Sequence, residues 1–517
     1  MAKTKCKYYP TVIVPGIGQS KVDMYDNEGN RKLCAWPLDL DEKALVKEIA
    51  APFANMMVTR KYENFCEALK TALKKAVDPI SLNKEGISKN DLRPVDYRRG
   101  PISQCTPDEK HYIYVMVPMQ RLSEVIGEEN MFFFAYNSFG QPYETAAQLD
   151  SYIQHVKELT GCDKVNLVPV SLGGSIMTAY LDAYGAKGDI HRVCYFVPAA
   201  NGSTMIADVL SGNLDLSDPE SLFELLLGGK TARTIMNVAA KMPKGALDAI
   251  IDSVLEVVKE EVLITCPGMW AVVPREHYKE LYDRYLVGPK YGTLRAKADR
   301  FYRAQGKLRE MIEQQEKMGV KFFVVCGYDR QLPPFCGTKT LNADGIVDFK
   351  SASIGGTGAE LGTTLPEREK VYDRCKNKAH NHVSPENTVD LSTAMFPDST
   401  FCFRYQVHDD AGWNDLAIGV AKEILTNEDF VDVYSDPRYP QFNGSRNTRK
   451  LVYDYLPEAE KLLETDLHET PKADLEEAVA AAKALLNKTI IDDFDEAGRV
   501  TVALKKAVIA ARPVIEK

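Results

Sequence analysis

The stretch VNLVPVSLGGSIMTAYLDAYG, residues 165–185, decides the fold. An apolar run typical of a buried strand leads into a turn of small residues around Ser171 and then into a helical pattern. This order places Ser171 on a sharp strand-to-helix turn, beside the N–H groups that begin the helix. It favours a nucleophilic serine over a buried serine that only shapes the turn. Only the second glycine of a G-x-S-x-G motif is kept, as Gly173, because Pro169 replaces the first.

Strands and helices alternate around this stretch. A helix predicted over 144–161 separates two strand candidates and ends at a glycine suited to a helix C-cap. The alternation predicts an α/β fold, in which a mostly parallel sheet carries helices on both faces. The strand candidates of the first 200 residues are TVIVPG (11–16), YIYVMVP (112–118), MFFFAY (131–136), VNLVPV (165–170) and VCYFVPA (193–199).

After residue 200 the pattern changes twice. Amphipathic helices without a convincing strand come first, and they predict a helical cap inserted between core strands. Strand patterns resume at VKFFVVCG (320–327) and TFCFRYQ (400–406), and the polar end of the chain contains two helical segments. The predicted parts are the first part of the core (1–200), the cap (201–315), the last core strands (316–425), and a polar linker with a C-terminal helical hairpin (426–517).

A second glycine-bearing turn follows the first strand. In VIVPGIGQS (12–20), Gly16 and Gly18 let the chain turn tightly and direct backbone N–H groups towards the serine. A serine that attacks a carbonyl needs such donors for the oxyanion, and we expect them to be the N–H groups of Ile17 and Leu172. No G-x-G-x-x-G with a following acidic residue occurs, so a dinucleotide cofactor is not expected.

Four segments carry a family likeness. They are PTVIVPGIGQSKV (10–22), CAWPLD (34–39), ETAAQLDSYIQHVKELTGCDKVNLVPVSLGG (144–174) and PGMWAVVP (267–274). Together they resemble the lecithin:cholesterol acyltransferase-like, lipase branch of the α/β-hydrolases, and most of all hydrolases of Gram-positive anaerobes. The resemblance implies the α/β-hydrolase fold and a serine hydrolase. Val170 departs from the family's histidine, and AYNSFG (135–140) departs from its Tyr-Asp-Trp-Arg run, so the acyl acceptor is not carried over.

The general base should follow the last core strand, where His408 stands directly after TFCFRYQV. Three carboxylates compete to orient it. Glu386 ranks first, because its segment resembles the lipase pattern of an acid, a short helix, a proline, a strand and the histidine. Asp344, in NADGIVDF, resembles the Asp-Gly-aliphatic-Val sequence of many lipases but requires a long insertion before His408. Asp329 directly follows a core strand and ranks third.

These residues predict ester hydrolysis through an acyl-enzyme, with attack by Ser171, proton transfer to His408, and hydrolysis by water. The expected substrate is a small-molecule or lipid ester, because a mainly apolar cap would exclude water and favour apolar acyl groups. Contact with a lipid surface is an open alternative. So are an acyltransferase with the same triad and, given Pro169 and Val170, a catalytically silent binding protein of this fold.

The composition narrows the partners, location and cofactors that are expected of this protein. The net charge of −9 argues against a nucleic-acid partner, and no apolar segment approaches the ~20 residues of a membrane span, so we expect a cytoplasmic protein. Eleven cysteines, an odd number without a C-x-x-C pair, predict free buried thiols. No cofactor or metal is expected, because His380 and His382 have no obvious cysteine or carboxylate partner.

Overall fold

The computed structural model describes residues 8–38, 42–97, 99–227, 229–239, 241–367, 373–444, 451–465, 469–488 and 496–511. The strands are Thr11–Val14 (β1), Val22–Tyr25 (β2), Arg31–Trp36 (β3), Asp91–Pro94 (β4), Met131–Phe133 (β5), Val165–Pro169 (β6), Ile190–Phe196 (β7), Lys321–Tyr328 (β8), Thr357–Gly358 (β9), Val389–Asp390 (β10), Thr400–Arg404 (β11) and Phe442–Gly444 (β12).

Nineteen α-helices accompany these strands in the described residues. They are Glu42–Thr59 (α1), Glu63–Val77 (α2), Pro107–Met116 (α3), Gln120–Ile126 (α4), Pro142–Thr160 (α5), Gly173–Tyr184 (α6), Thr204–Ser211 (α7), Pro219–Leu227 (α8), Gly229–Ala239 (α9), Ala246–Val257 (α10), Pro267–Trp270 (α11), Arg275–Tyr285 (α12), Gly292–Gly306 (α13), Leu308–Lys317 (α14), Phe349–Ala352 (α15), Asp415–Thr426 (α16), Leu456–Leu463 (α17), Glu469–Leu486 (α18) and Glu496–Ala511 (α19).

The central sheet has seven strands in the order β12-β11-β8-β7-β6-β1-β5, and every neighbouring pair is parallel. Side chains alternate between its two faces, as the period of a strand requires. Val12 and Val14 belong to the core layer that contains α5 and α6, whereas Ile13 belongs to the layer of α4 and α16. The predicted α/β fold with helices on both faces of a parallel sheet is confirmed at this level.

One predicted strand is wrong. Residues 112–118 do not form a strand, because 112–116 belong to helix α3. A capping box begins that helix: the Thr106 hydroxyl accepts from the Glu109 N–H, the Glu109 carboxylate accepts from the Thr106 N–H, and Pro107 occupies the first turn. These start signals outweigh the strand preference of the aromatic and β-branched residues that follow.

The other predicted strands lie in the central sheet, and two features were not predicted. Strands β2, β3 and β4 form a separate antiparallel sheet after β1. Strand β12 lies within the predicted polar linker and extends the central sheet, with Phe442 opposite Cys402 of β11. A strand of three residues at a sheet edge buries too little apolar surface to show in a hydrophobic pattern.

Between β7 and β8 the described residues form helices α7 to α14 and no strand, which is the composition predicted for 201–315. Helices α18 and α19 pack together through a small core at the C-terminal end, including Leu475 and Leu504. Among the described residues, no helix is both long enough and apolar enough to cross a bilayer.

Among the cysteines that the structure describes, Cys34 and Cys162 depart from the prediction of free buried thiols. Nine of them are free thiols, and eight of these are buried. Cys162 is disulfide-bonded, so the prediction of free thiols is wrong at this position. Spacing along the chain carries no information about thiols that meet only after folding, which is why the sequence did not indicate this bond.

Candidate active site

Ser171 occupies the turn between β6 and α6. Its φ of 51° lies in the left-handed region, which is uncommon for residues other than glycine. Two hydrogen bonds hold this backbone: the Ser171 N–H donates to the Phe196 carbonyl (3.2 Å), and the Ala199 N–H donates to the Ser171 carbonyl (2.9 Å). A strained serine between a strand and a helix is the conformation in which an exposed nucleophile is presented.

Two glycines permit the close approach of neighbouring chain segments to this turn. A Cβ on Gly173 would lie 2.3 Å from the carbonyl oxygen of Val14, so α6 can begin beside β1 only with glycine here. A Cβ on Gly16 would lie 2.8 Å from the Cβ of Ser171. Pro169, in place of the motif's first glycine, continues β6 opposite Val14.

His408 lies between Ser171 and Asp344, just after the carboxyl end of β11. Its Nε2 is 3.0 Å from the Ser171 Oγ, and its Nδ1 is 2.8 Å from the Asp344 Oδ2. The His408 backbone N–H also donates to the Asp344 carbonyl, at 2.9 Å. When the Nδ1–H donates to the carboxylate, Nε2 is left to accept the proton of the serine hydroxyl.

The Asp344 carboxylate is fully buried, with no exposed surface, and its second oxygen is also used. Oδ1 accepts hydrogen bonds from the N–H groups of Ile346 (3.1 Å) and Val347 (2.8 Å). These bonds compensate for the loss of water around the charge and fix the direction in which Oδ2 points. The imidazole is therefore oriented by a rigid partner.

Burial and neighbouring charge shift the pKa of His408 in opposite directions. Burial on its own would lower the pKa of the imidazole, because it disfavours the charged form. The charge of Asp344 and its hydrogen bond act against this, with a further contribution from the charge of Asp409, and the resulting pKa lies above its ordinary value. The site therefore favours the imidazolium that forms when the serine loses its proton.

The other two predicted acids lie elsewhere. Glu386, ranked first from the sequence, forms an ion pair with Arg404 (3.2 Å) and accepts from the Tyr328 hydroxyl (3.4 Å). Asp329 accepts from Arg404 Nε (2.7 Å) and from the Asn342 amide (2.9 Å). Both carboxylates are occupied by the same guanidinium. The structure thus brings Asp344 to His408, and the ranking of Glu386 above it is corrected.

The predicted oxyanion donors are the N–H groups of Ile17 and Leu172. Neither donates to an acceptor within the described part of the chain. The N–H groups on either side of Ile17 already have acceptors. The Gly16 N–H donates to Gln19 Oε1 (2.6 Å), and the Gly18 N–H donates to Ser138 Oγ (2.8 Å). The loop after β1 is thereby held in a conformation that leaves the Ile17 N–H available for a ligand oxygen.

Sequence reasoning did not identify Gln19, Ser138 or Trp36 as supports of this loop. Trp36 donates its indole N–H to the Gly18 carbonyl, at 2.6 Å. The three residues come from separate parts of the sequence, and only the resemblance to a family marked one of them, Trp36. No local pattern connects a tryptophan in β3 with a glycine after β1.

A small cavity of about 10 Å³ lies against His408. Its walls are mostly apolar, and its volume is about that of one water molecule. It is too small for an acyl chain. The residues that line it are Gln19, Pro118, Met119, Val170, Phe196, Val197, His408, Asp409, Ala411 and Gly412.

A cavity of about 1210 Å³ lies away from these residues, between the helices of 201–315 and the loop that precedes β4. Its lining includes Lys84, Lys259 and Lys290 beside Glu256 and Glu261. None of Ser171, His408 and Asp344 lines it, so size alone does not identify the site of chemistry here.

The two histidines of the segment before β11 do have partners. Cys375 and Asp398 lie beside His380 and His382, with one ligand atom from each residue within 4.8 Å of the others. The expectation from the sequence that no cysteine or carboxylate accompanies these histidines is wrong. Fifteen residues separate Asp398 from His382 in the sequence, and folding brings the two side chains together.

The arrangement at Ser171 can perform nucleophilic attack with general-base assistance, because nucleophile, base and orienting acid are in hydrogen-bonded sequence. No protein-family model matches this chain, and no curated protein matches it either.

Proposed function

We propose that the chain is a serine-dependent carboxylic ester hydrolase of the α/β-hydrolase fold, related to the lipase and lecithin:cholesterol acyltransferase-like branch. The observation that carries the proposal is the hydrogen-bonded series Ser171 Oγ, His408 Nε2, His408 Nδ1 and Asp344 Oδ2, with distances of 3.0 and 2.8 Å. The residues occur along the chain in the order Ser, Asp, His, which is the order of α/β-hydrolases.

The topology supports the same assignment. Ser171 follows β6 and His408 follows β11, both at the carboxyl ends of parallel strands, and Asp344 lies in the long loop after β8. In open α/β sheets, ligands bind at this edge, where successive loops converge. A fold of this kind without chemistry would not need to hold a serine at φ 51° against a buried histidine and carboxylate.

In the proposed reaction, His408 Nε2 takes the Ser171 proton as Oγ attacks the ester carbonyl. The Ile17 and Leu172 N–H groups stabilise the oxyanion, and the imidazolium then protonates the departing alcohol. Water, activated by the same imidazole, hydrolyses the acyl-enzyme and restores Ser171. Throughout the reaction, Asp344 keeps the Nδ1 proton in place and stabilises the imidazolium.

An apolar or lipid-like ester suits the surroundings best. Ile17, whose N–H is a proposed oxyanion donor, has a side chain that is 43% exposed, and Val170, Phe196 and Val197 form apolar walls beside His408. Apolar groups at a site favour apolar substrates because both lose contact with water on binding. Acyl transfer to an alcohol would use the same residues, and product analysis in the presence of added alcohols separates the two reactions.

A fluorophosphonate probe tests whether Ser171 is activated. We expect stoichiometric covalent labelling of the native protein, with the added mass on the peptide that contains Ser171, because only a serine paired with a base attacks phosphorus readily. Heat-unfolded protein should remain unlabelled. Ser175, four residues after Ser171 and bonded to the carbonyls of Ala199 and Ala271, is the internal control, and fragment ions that separate the two serines locate the label. A native protein that takes up no label would support the silent binding protein instead.

The pH dependence of kcat/KM should follow the protonation of His408. Because only the neutral imidazole accepts the serine proton, kcat/KM is expected to rise with pH through the pKa of His408, which lies above its ordinary value. The raised folded-state pKa also contributes stability that is fully present below the unfolded pKa and is lost as pH rises through the folded value. Activity and this contribution to the free energy of unfolding should therefore change in opposite directions.

A rate profile and urea unfolding measured over the same pH range check this expectation. Asp409→Asn is the informative variant, because Asp409 is exposed and its charge helps to raise the His408 pKa. The variant should stay active and reach half of its maximal kcat/KM at lower pH. A profile that is flat, or that falls as pH increases through this range, would contradict the assignment of His408 as base.

A further inference from the structure

The segment before β11 contains four side chains whose donor atoms converge. Cys375 Sγ lies 3.3 Å from His380 Nδ1, which is 2.6 Å from Asp398 Oδ1, and His382 Nε2 is 3.5 Å from the same oxygen. Around a tetrahedral zinc ion with one thiolate ligand, neighbouring donor atoms stand about 3.3 to 3.6 Å apart. Two of these three separations match that spacing, and all four donor atoms lie within 4.8 Å of one another.

The hydrogen bonds of Gln441 fix the tautomer of His382. The Gln441 Nε2 donates to the carbonyls of Pro397 (2.6 Å) and Thr400 (3.2 Å), so its Oε1 must be the acceptor for His382 Nδ1–H, at 2.9 Å. In the neutral imidazole, His382 Nε2 then carries a lone pair and no proton. This nitrogen is buried, in a side chain that is 4% exposed, and it has no hydrogen-bond partner among the residues that the structure describes.

A lone pair that faces a carboxylate oxygen is unfavourable unless a cation lies between them. His382 Nε2 and Asp398 Oδ1 are in this relation, at 3.5 Å. Left without a partner at this low exposure, the acceptor costs free energy. A metal ion at the centre of the cluster would satisfy the imidazole lone pair, the carboxylate and the thiolate together.

The surroundings resemble those of a closed metal site. Metal-bound histidines are usually held through their second nitrogen, and here the Gln441 amide oxygen accepts from His382 Nδ1–H. Asn377, whose Nδ2 donates to His380 Nε2 (2.8 Å), would have to turn its amide for His380 Nδ1 to bind an ion. The ring of Tyr434 covers His380, with centroids 4.1 Å apart. The Cys375 side chain is also buried, so its sulfur faces the interior and not the solvent.

We propose that Cys375, His380, His382 and Asp398 bind a structural zinc ion. Thiolate and imidazole ligands select zinc over magnesium or calcium, and four protein ligands leave no open position for a substrate. Binding releases the thiol proton of Cys375 to solvent, because the ligand is the thiolate. The sequence form of the site is C-x4-H-x-H-x15-D.

The site is separate from the proposed chemistry. Asp398 precedes β11, and His408 follows it, so a strand of five residues, about 17 Å long, stands between them. The ion would attach the segment from Cys375 to Asp398 to the start of β11. It is therefore expected to raise the stability of the fold and to leave the proton transfers at His408 unchanged, whether or not the chain hydrolyses esters.

Metal content of the untagged full-length chain tests the proposal directly. After purification without chelators, plasma mass spectrometry should find about one zinc ion per chain. Protein stripped by a chelator should melt at a lower temperature, because the ion binds the folded state only. Added Co²⁺ should then restore the melting temperature and produce a thiolate-to-cobalt charge-transfer band with the intense visible bands of tetrahedral coordination, saturating at about one equivalent.

Two pairs of variants identify the ligands. Cys375→Ser should abolish the charge-transfer band, whereas Cys66→Ser, which removes another buried free thiol, should keep it. His382→Gln should lose zinc, whereas His191→Gln, with its imidazole paired to Glu428, should retain it. Circular dichroism establishes that each variant is folded. Wild-type protein that holds no zinc and gives no cobalt band would overturn the proposal, as would a band that survives Cys375→Ser; ester hydrolysis enters none of these readouts.

Discussion

Ser171→Ala is expected to lower kcat/KM for p-nitrophenyl ester hydrolysis by about 10⁴-fold or more, which is the usual consequence of removing a nucleophile from an intact serine triad. The change removes one oxygen atom from a side chain that is 9% exposed, so the fold should be unaffected. What remains in the variant is the oxyanion hole, which on its own gives only a small part of the rate enhancement. The loss should appear in kcat, because the substrate still binds.

The measurement uses acetate, butyrate, octanoate and palmitate esters with the wild-type protein and the variant. A maximal rate at one chain length would give the length of acyl group that the site accepts. The cavity beside His408 does not by itself show this length. Ser175→Ala is the matched control, because it removes a buried hydroxyl from helix α6, four residues after Ser171, without touching His408. Equal rates for wild-type protein and Ser171→Ala would show that the hydrolysis does not pass through Ser171.

The sequence singled out Ser171 and His408, which the fold brings together, because both are marked by local patterns. A strand followed by small residues and a helix specifies the turn at Ser171, and the last strong strand pattern points to His408. Gly173 was part of that signal, and the structure gives its reason: a side chain there would collide with the Val14 carbonyl. Short-range steric requirements of this kind leave a trace in the sequence.

The acid could not be predicted in the same way. The segments around Asp344 and Glu386 have similar local sequences, and each resembles a lipase pattern that contains the acid. Arg404 decides between them in the fold, because its guanidinium pairs with both Glu386 and Asp329 and leaves Asp344 for His408. The N–H groups of Ile346 and Val347 then stabilise the selected carboxylate. Such a competition for one cation depends on tertiary structure.

Strand prediction failed where a capping signal and a strand preference conflicted. Residues 112–115 are aromatic and β-branched, but the Thr106–Glu109 capping box and Pro107 begin a helix just upstream of them. Weighing the start signal above the composition would have predicted α3 correctly. The zinc-ligand cluster shows the complementary limit, since Asp398 joins Cys375 and the two histidines only through folding.

Asp344→Asn is expected to reduce kcat by about 10⁴-fold while leaving the fold and the substrate affinity nearly intact. The amide oxygen of the substituted side chain can still accept from the N–H groups of Ile346 and Val347, so the amide nitrogen would face His408 Nδ1. A donor in that position forces Nδ1 to accept and places the imidazole proton on Nε2. The tautomer is then wrong for accepting the serine proton.

Glu386→Gln and Asp329→Asn are the matched controls, because each neutralises one of the other two acids predicted from the sequence. Their partner Arg404 lies outside the hydrogen-bonded series at Ser171, so both variants should keep kcat within a few-fold of wild type and lose mainly stability. The decisive comparison is single-turnover acylation of all three variants, with folding verified by circular dichroism. Full activity in Asp344→Asn, together with a large loss in Glu386→Gln, would reverse the assignment and restore Glu386 as the residue that orients His408.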